Sequence, residues 1–382
     1  MSAITIRPVI SRRDLKRFIE YPFALYRHDP HWVAPLLINE WAKFNPKKNP
    51  FYQHARLALY LAEQGNEVVG RIAGIDDDNH NATHGDNLAF FGFFEAANQE
   101  AAHALLATVE GWAKELGRSA LRGPANPSMN DGSGLQIDGF DLDPFIMMPY
   151  NPPSYPVYVE AAGYRKIKDL YAWLNDEERG LGERLLRLVD RIERRLKPVI
   201  RPANLKQFDR ELAILKRVYN EAWEPNWGFV KYTDAEFDHL AAELKLIIDP
   251  DIALIAEVEG KVAGLAIGLP DLNQVLKRIR GRLLPWGIFT LLRRKRYINQ
   301  IRLPILGLLP EFRRTGLELV LIREVFRRGT AKGYRRCEGS WILEDNEAMN
   351  NGIKAGGGYL AKTYRLYQKP LPQVSSGQKQ MQ

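Results

Sequence analysis

The sequence predicts a mixed α/β fold built twice, each copy a mostly antiparallel central sheet flanked by helices. The first observation is an internal repeat. Glu67-Val68-Val69-Gly70-Arg71-Ile72-Ala73-Gly74 matches Lys261-Val262-Ala263-Gly264-Leu265-Ala266-Ile267-Gly268 at an offset of 194, and Asp77 and Asn79 match Asp271 and Asn273. Phe90-Phe91-Gly92-Phe93-Phe94 matches Ile305-Leu306-Gly307-Leu308-Leu309 at 215, Leu116-Gly117 and Asn130 match Lys332-Gly333 and Asn346 at 216, and Gly163-Tyr164 matches Gly358-Tyr359 at 195. Four matches in one order indicate duplication. The second observation is a set of short apolar runs separated by tight-turn residues, which read as hairpins. The third is that helical patterns stand between those runs, the mark of mixed α/β layers.

Each copy follows the same order. A strand (Ile4 to Pro8; Pro198 to Arg201) leads into helices, in the second copy Phe208 to Trp223 and Ala235 to Ile248. Thr233 with Glu236 three residues on forms a capping box for the latter. Hairpins turn at Gln64-Gly65-Asn66 and Glu259-Gly260. A central apolar strand follows, then a helix: Gln99 to Leu116, and Leu317 to Ala331. A strand, a short helix and a closing strand finish the copy. The expected domains are 1–175 and 198–372, joined by a charged amphipathic helix over 176–197, with a polar disordered tail at 373–382. The offset changes place two 21-residue gains: one between Asn130 and Gly163, the other between Gly268 and Ile305.

Composition narrows the class. Hydrophobic residues are 45% and charged residues 26% of the 382, which excludes collagen-like and largely disordered chains. The lone Cys337 excludes a disulfide framework and makes a reducing, cytoplasmic setting the default. No secretory leader is visible, and no apolar run approaches the ~20 residues of a spanning helix. The net charge is +8, but Leu272 to Arg302 alone carries nine basic residues and no acid, so the remainder sums to −1. Basicity belongs to one segment, and that segment needs a partner.

The sharpest chemical signal is Leu306-Gly307-Leu308-Leu309-Pro310-Glu311-Phe312-Arg313-Arg314-Thr315-Gly316-Leu317-Glu318. An apolar strand ends, and a basic loop with one glycine opens a long helix. The first amides of a helix lack internal partners and share the positive end of its dipole, so such a loop suits a phosphate or pyrophosphate. The plainer reading is a solvated helix start with spare arginines. Asp76-Asp77-Asp78-Asn79-His80 with His84 has metal-like letters but aligns with Pro270-Asp271-Leu272-Asn273. It reads as a loop, and no metal site is expected.

The strand, the Pro-Glu-Phe-Arg-Arg-Thr-Gly-Leu loop and the helix resemble the acyl-CoA loop of the GNAT acyltransferase superfamily, whose pattern is Arg/Gln-x-x-Gly-x-Gly/Ala. The resemblance covers about residues 198–370 directly, through Trp341-Ile342-Leu343-Glu344-Asp345-Asn346 and Gly356-Gly357-Gly358-Tyr359. It implies that Arg313, Arg314, Thr315, Gly316 and Leu317 face a CoA pyrophosphate. Gly307, Leu308 and Leu309 would face the pantetheine on a splayed strand, with Asn346 beside the cofactor. Acyl-CoA, acetyl or long-chain, is then the co-substrate. Glu318 departs from the pattern's Gly/Ala, and Ile353 stands where many members carry a tyrosine acid. Tyr359, or else Tyr364 or solvent, would protonate the thiolate.

N-acyl transfer needs a base for the amine and a donor for the oxyanion. Glu344, at a strand end near the implied thioester, is the first candidate base, and a surface carboxylate is the plainer reading. The first copy runs Glu95-Ala96-Ala97-Asn98-Gln99-Glu100 after its central strand, with no glycine or arginine, so no cofactor site is expected there. Its Asn126, Ser128, Asn130 and Tyr150 line an acceptor pocket, or serve as turn residues.

Leu283-Leu284-Pro285-Trp286-Gly287-Ile288-Phe289-Thr290-Leu291-Leu292 lies between basic clusters within 272–302. Apolar side chains flanked by cations suit a membrane interface. The pattern also fits a hairpin packed on protein, while the apolar core adds nothing to nucleic-acid binding. The tandem order with this insertion is similar to the bacterial ceramide synthase branch of the superfamily. That resemblance implies an N-acyltransferase at the inner membrane face, acting on a primary amine such as a long-chain base. A soluble acetyltransferase and a non-catalytic GNAT pair are the alternatives.

Overall fold

The computed structural model describes residues 2–224 and 226–372. The first half comprises β1 (Ile4–Pro8), α1 (Arg12–Leu25), α2 (Leu37–Lys43), β2 (Ala55–Gln64), β3 (Glu67–Asp77), α3 (Asp78–His84), β4 (Leu88–Ala96), α4 (Gln99–Glu115), β5 (Ala120–Gly123), β6 (Leu135–Asp138), α5 (Ser154–Ala161) and β7 (Arg165–Asp176). After α6 (Glu183–Leu196) the order recurs: β8 (Val199–Pro202), α7 (Phe208–Trp223), α8 (Asp234–Lys245), β9 (Ala253–Val258), β10 (Lys261–Pro270), α9 (Asn273–Ile279), α10 (Gly287–Leu292), β11 (Gln300–Leu308), α11 (Leu317–Ala331), β12 (Arg336–Leu343), α12 (Glu347–Ala355) and β13 (Tyr359–Pro370). The repeat read from sequence is thus a structural repeat, and β6 lies inside the first copy's extra 21 residues.

All thirteen strands form one sheet, in the order β1-β2-β3-β4-β5-β13-β7-β12-β11-β10-β9-β8, with β6 also on β13. Neighbours are antiparallel except β4 with β5 and β11 with β12. The closing strands are exchanged. β7 from the first copy lies against β12, β13 from the second lies against β5, and the two pair with each other from Tyr359↔Leu174 to Gln368↔Arg165. Each copy's expected closing strand therefore completes the other copy's sheet.

Strand alternation divides the core. Leu254 and Ala256 pack with Leu317, Val320 and Leu321 of α11 and with Val189 and Ile192 of α6. Ala253 and Ile255 face Val218 of α7 and Leu244 of α8 on the other side. Centrally, Leu170, Ala172 and Leu174 of β7 and Tyr364 of β13 are covered by Phe145 and Met148 of the first copy's insertion.

The capping box at Thr233 forms, with Thr233 Oγ1 accepting from the Glu236 amide at 3.2 Å. Two expectations change. The joining helix begins at Glu183, because β7 runs to Asp176 and the chain then turns through Gly180 in a left-handed conformation (φ +61°). The Asp78–His84 string is a helix, capped by the Asp77 carboxylate, which accepts from the Asn79 and His80 amides at 3.0 and 3.2 Å. Residues 373–382, expected as a disordered tail, lie outside the described residues.

Candidate active site

β11 and β12 pair in parallel from Gln300↔Arg336 to Leu303↔Gly339 and then part. β11 continues along β10 to Leu308, and β12 along β7 to Leu343, so a fork opens between them. The Leu309 amide donates to Ala263 O at 2.9 Å, on the β10 side. Alternation along the strand turns the Leu306 and Leu308 amides the other way, into the fork. Gly307 serves packing. A Cβ there would lie 2.4 Å from the Trp223 ring, which stacks on Tyr219 with centroids 4.9 Å apart.

The loop after β11 makes one 3₁₀ turn at Pro310–Phe312 and then two left-handed residues, Arg314 (φ +63°) and Gly316 (φ +85°). Thr315 Oγ1 donates to Phe312 O at 2.6 Å and accepts from the Leu317 amide at 3.3 Å. The Arg314 and Gly316 amides have no partner among the described residues. Amides exposed by left-handed turns at a helix start form an anion-binding concavity. The structure gives the missing Cβ of Gly316 a second reason: it would sit 2.5 Å from Ile192 Cδ1 of α6. Arg314 is exposed, while Arg313 donates to Glu221 O on α7 at 2.6 Å. Glu318 turns its carboxyl back on its own amide, one oxygen is buried without a partner among the described residues, and burial raises its pKa.

Other sequence candidates are engaged elsewhere. Glu344 accepts from Lys166 Nζ at 2.5 Å and from the Asp169 amide at 3.0 Å, tying β12 to β7. Tyr359 lies in the same row of the sheet as Glu338, at the closed end, with its ring 4.4 Å from the Arg179 guanidinium. Asn346 caps α12 through the Met349 amide at 3.2 Å. Ser128 donates to Asp131 at 2.6 Å. Asn130 donates to Val230 O at 2.6 Å and Tyr150 to Asp29 at 2.7 Å. The last two hold neighbouring loops together.

Asn126 has a more telling place. β4 and β5 also part, after Phe90↔Arg122, but the chain itself fills that fork. The Ala125 amide donates to Phe91 O at 2.9 Å, and Asn126 Oδ1 accepts from the Phe93 amide at 2.5 Å. A Cβ on Gly92 would meet Ala125 O at 1.7 Å. No second chain can add to β4 there.

Sequence reasoning missed a polar group at the closed end of the open fork. Arg302 and Glu338 face each other across β11 and β12, 3% and 1% exposed. Arg302 Nε donates to Ser340 Oγ at 2.8 Å, and Ser340 Oγ donates to Glu338 Oε1 at 2.7 Å. Burial pushes the Glu338 pKa up to about 7, against the pull of Arg302 and Ser340. The fully buried Tyr364 hydroxyl has no partner among the described residues. The available signal was a glutamate inside a strand of a parallel pair, where both faces are usually covered.

An open depression of about 590 Å³ lies elsewhere, at the edge strand β8. Its Arg201 already bonds Glu211 and Glu257 at 3.0 and 2.8 Å, and β9 and β10 stand between β8 and the fork. Among the described residues no group of three His, Cys, Asp or Glu is placed to hold a metal ion.

The chain is 35% identical over 378 residues to the bacterial ceramide synthase of Caulobacter vibrioides, covering 96% of this chain and 98% of that protein. It belongs to the bacterial ceramide synthase family. Protein YghO of Escherichia coli is 34% identical over 374 residues, covering 96% of this chain and 95% of that protein. No family model matches. Among solved structures, a tandem GNAT protein from the clavulanic acid biosynthesis pathway covers 97% of this chain and 99% of its own, with a TM-score of 0.55 at 13% identity. A GCN5-related N-acetyltransferase from Sphaerobacter thermophilus covers 97% of each, with a TM-score of 0.51 at 12% identity. The fold is that of tandem GNAT proteins, and the ceramide synthase family with this fold makes the chain an acyltransferase. The fork and the loop after it occupy the second copy.

Proposed function

We propose that this chain is an acyl-CoA-dependent N-acyltransferase that passes a long acyl chain to the amine of a long-chain lipid base at a membrane surface. The carrying observation is the difference between the two forks. One is sealed by its own chain at Ala125 and Asn126. The other leads into a helix start with unpartnered amides at Arg314 and Gly316. In this reading those amides and the exposed Arg314 hold the CoA pyrophosphate, with Arg313, Thr315 and Leu317 shaping the loop. The pantetheine runs along Leu306 to Leu309, bonded by amides of β11, with Asn346 at the far wall. The first copy takes no cofactor and shapes the acceptor side. Positioning supplies much of the rate.

The Caulobacter relative's name supports a lipid amine as acceptor. So does the surface of the basic segment. Leu284, Trp286 and Leu292 are 79%, 75% and 69% exposed, and Leu246, whose carbonyl accepts from Arg294, is 73% exposed. Arg280, Arg282, Arg293, Lys295 and Arg296 are exposed around them. Apolar side chains reaching the acyl boundary with cations at the headgroups fit an anionic membrane surface. No helix among the described residues is long and apolar enough to cross a membrane.

The test crosses acetyl-CoA and palmitoyl-CoA with sphinganine and with small polyamines, read by mass spectrometry. Amide from palmitoyl-CoA and sphinganine is the expected product. Transfer only from acetyl-CoA to a small amine would overturn the lipid reading. Failure of wild type to bind CoA in calorimetry would overturn the cofactor reading.

A further inference from the structure

The closed end of the fork carries an arrangement that the loop and strand do not explain. Ser340 is the first residue of β12 beyond the last rung, Leu303↔Gly339. An acyl chain whose CoA lies along β11 from the Arg314 loop brings its thioester to this end. The polar groups there are Ser340, Glu338, Arg302 and Tyr364. Arg302 to Glu338 is 4.0 Å, and the Ser340 hydroxyl stands between them, receiving from one and giving to the other. Arg302 is further fixed by donating to Ile146 O at 3.1 Å and Ser340 O at 3.1 Å. The remaining charges acting on Glu338 are Asp271 at the end of β10 and Lys362 on β13.

The duplication supplies an internal comparison. At the sequence offset of 216, Arg122 aligns with Glu338 and Pro124 with Ser340, and no residue from Ala120 to Pro124 carries a carboxylate or a hydroxyl. The first copy, whose fork is sealed, thus has neither the carboxylate nor the hydroxyl.

We infer that Ser340 and Glu338 form the proton-accepting pair of the transfer reaction, with Ser340 touching the amine and Glu338 taking the proton through it. This rests on the reading of acyl-CoA-dependent N-acyl transfer above. The amine nitrogen bonds to the thioester carbonyl carbon. Its proton passes to Ser340 Oγ as the serine proton passes to the Glu338 carboxylate. The C–S bond breaks, and the thiolate takes a proton from water. Glu338 then returns its proton to solvent, so the pair is regenerated. Arg302 is a positioning residue that fixes the hydroxyl between the two.

The test uses full-length protein with palmitoyl-CoA and sphinganine, following rate against pH, and CoA binding by calorimetry. Wild type should show a rate rising through pH about 7 as Glu338 ionises. Glu338→Gln should bind CoA within about threefold of wild type, lose transfer about 100-fold or more, and lose that rise. Ser340→Ala, which leaves the Arg302–Glu338 pair in place, carries the test if Glu338→Gln does not fold. It should lower the rate at least about tenfold, with CoA affinity unchanged. Glu338→Gln or Ser340→Ala turning over near the wild-type rate with the same pH profile would overturn the assignment. If wild type binds CoA but makes no amide from these substrates, the lipid reading fails and the pair falls with it.

Discussion

Gly316 meets two demands at once, a left-handed backbone and the close passage of Ile192. Gly316→Ala should therefore cost about 1–3 kcal/mol of stability, seen as a lower melting temperature even without ligand. Glu318 is the opposite case, a carboxylate kept beside an anion site. Glu318→Ala should tighten CoA binding by roughly threefold to tenfold in calorimetry, because it removes a like charge within about one helical turn of the pyrophosphate. Tyr364→Phe removes a buried hydroxyl with no partner among the described residues, so the melting temperature should hold or rise. At this scale the start of α11 after Gly316 was legible, because a glycine directly before a periodic apolar run marks a helix boundary. The surroundings of Glu344 were not: it has the expected place at a strand end, but its partners Lys166 and Asp169 come from the other copy's strand, where local sequence does not reach.

Helices with explicit end signals were the most legible elements. α7 and α11 run as read, Phe208–Trp223 and Leu317–Ala331. α6 was read seven residues too long at its start, because charged residues before Gly180 continue the helical pattern without a stop. What holds α6 is its apolar stripe, with Leu185, Val189 and Ile192 buried on α11. Val189→Ala leaves a partly filled gap in that seam and should cost about 1–3 kcal/mol, measurable by urea titration. The segment carrying α9 and α10 is held from behind. Gly281 lies against Pro35 O, and Asn273 donates to Pro144 O at 2.8 Å. Its outward side chains are free of those contacts. Changing Leu284, Trp286, Phe289 and Leu292 to serine should leave the melting temperature nearly unchanged. It should abolish pelleting with anionic liposomes, and wild-type pelleting should weaken with salt. Equal pelleting of the two proteins would remove the membrane role.

The whole molecule is tied across the repeat. His54 bonds Asp77 in its own half and Glu236 in the other, both at 3.0 Å. Burial alone would lower its pKa, but these carboxylates raise it to about 9 from 6.5. Its stabilisation is therefore complete below about pH 6.5 and is lost as pH rises through 9. Between pH about 7 and 10 the melting temperature should fall more in wild type than in His54→Gln. The exchanged strands predict one cooperative unfolding transition, and poor folding of either half expressed alone. Two separate calorimetric transitions would contradict this. The duplication was legible because glycines and turns keep their spacing. The exchange was not, because two copies of one strand offer the same alternating pattern to either partner.

Arg122 pairs with Gln368 on β13. During synthesis, then, the first half emerges with β5 unpaired on one side, and its partner follows only after the rest of the second copy. Nascent chains should expose that edge while the second copy is made and rely on the cell's holding factors until β13 emerges.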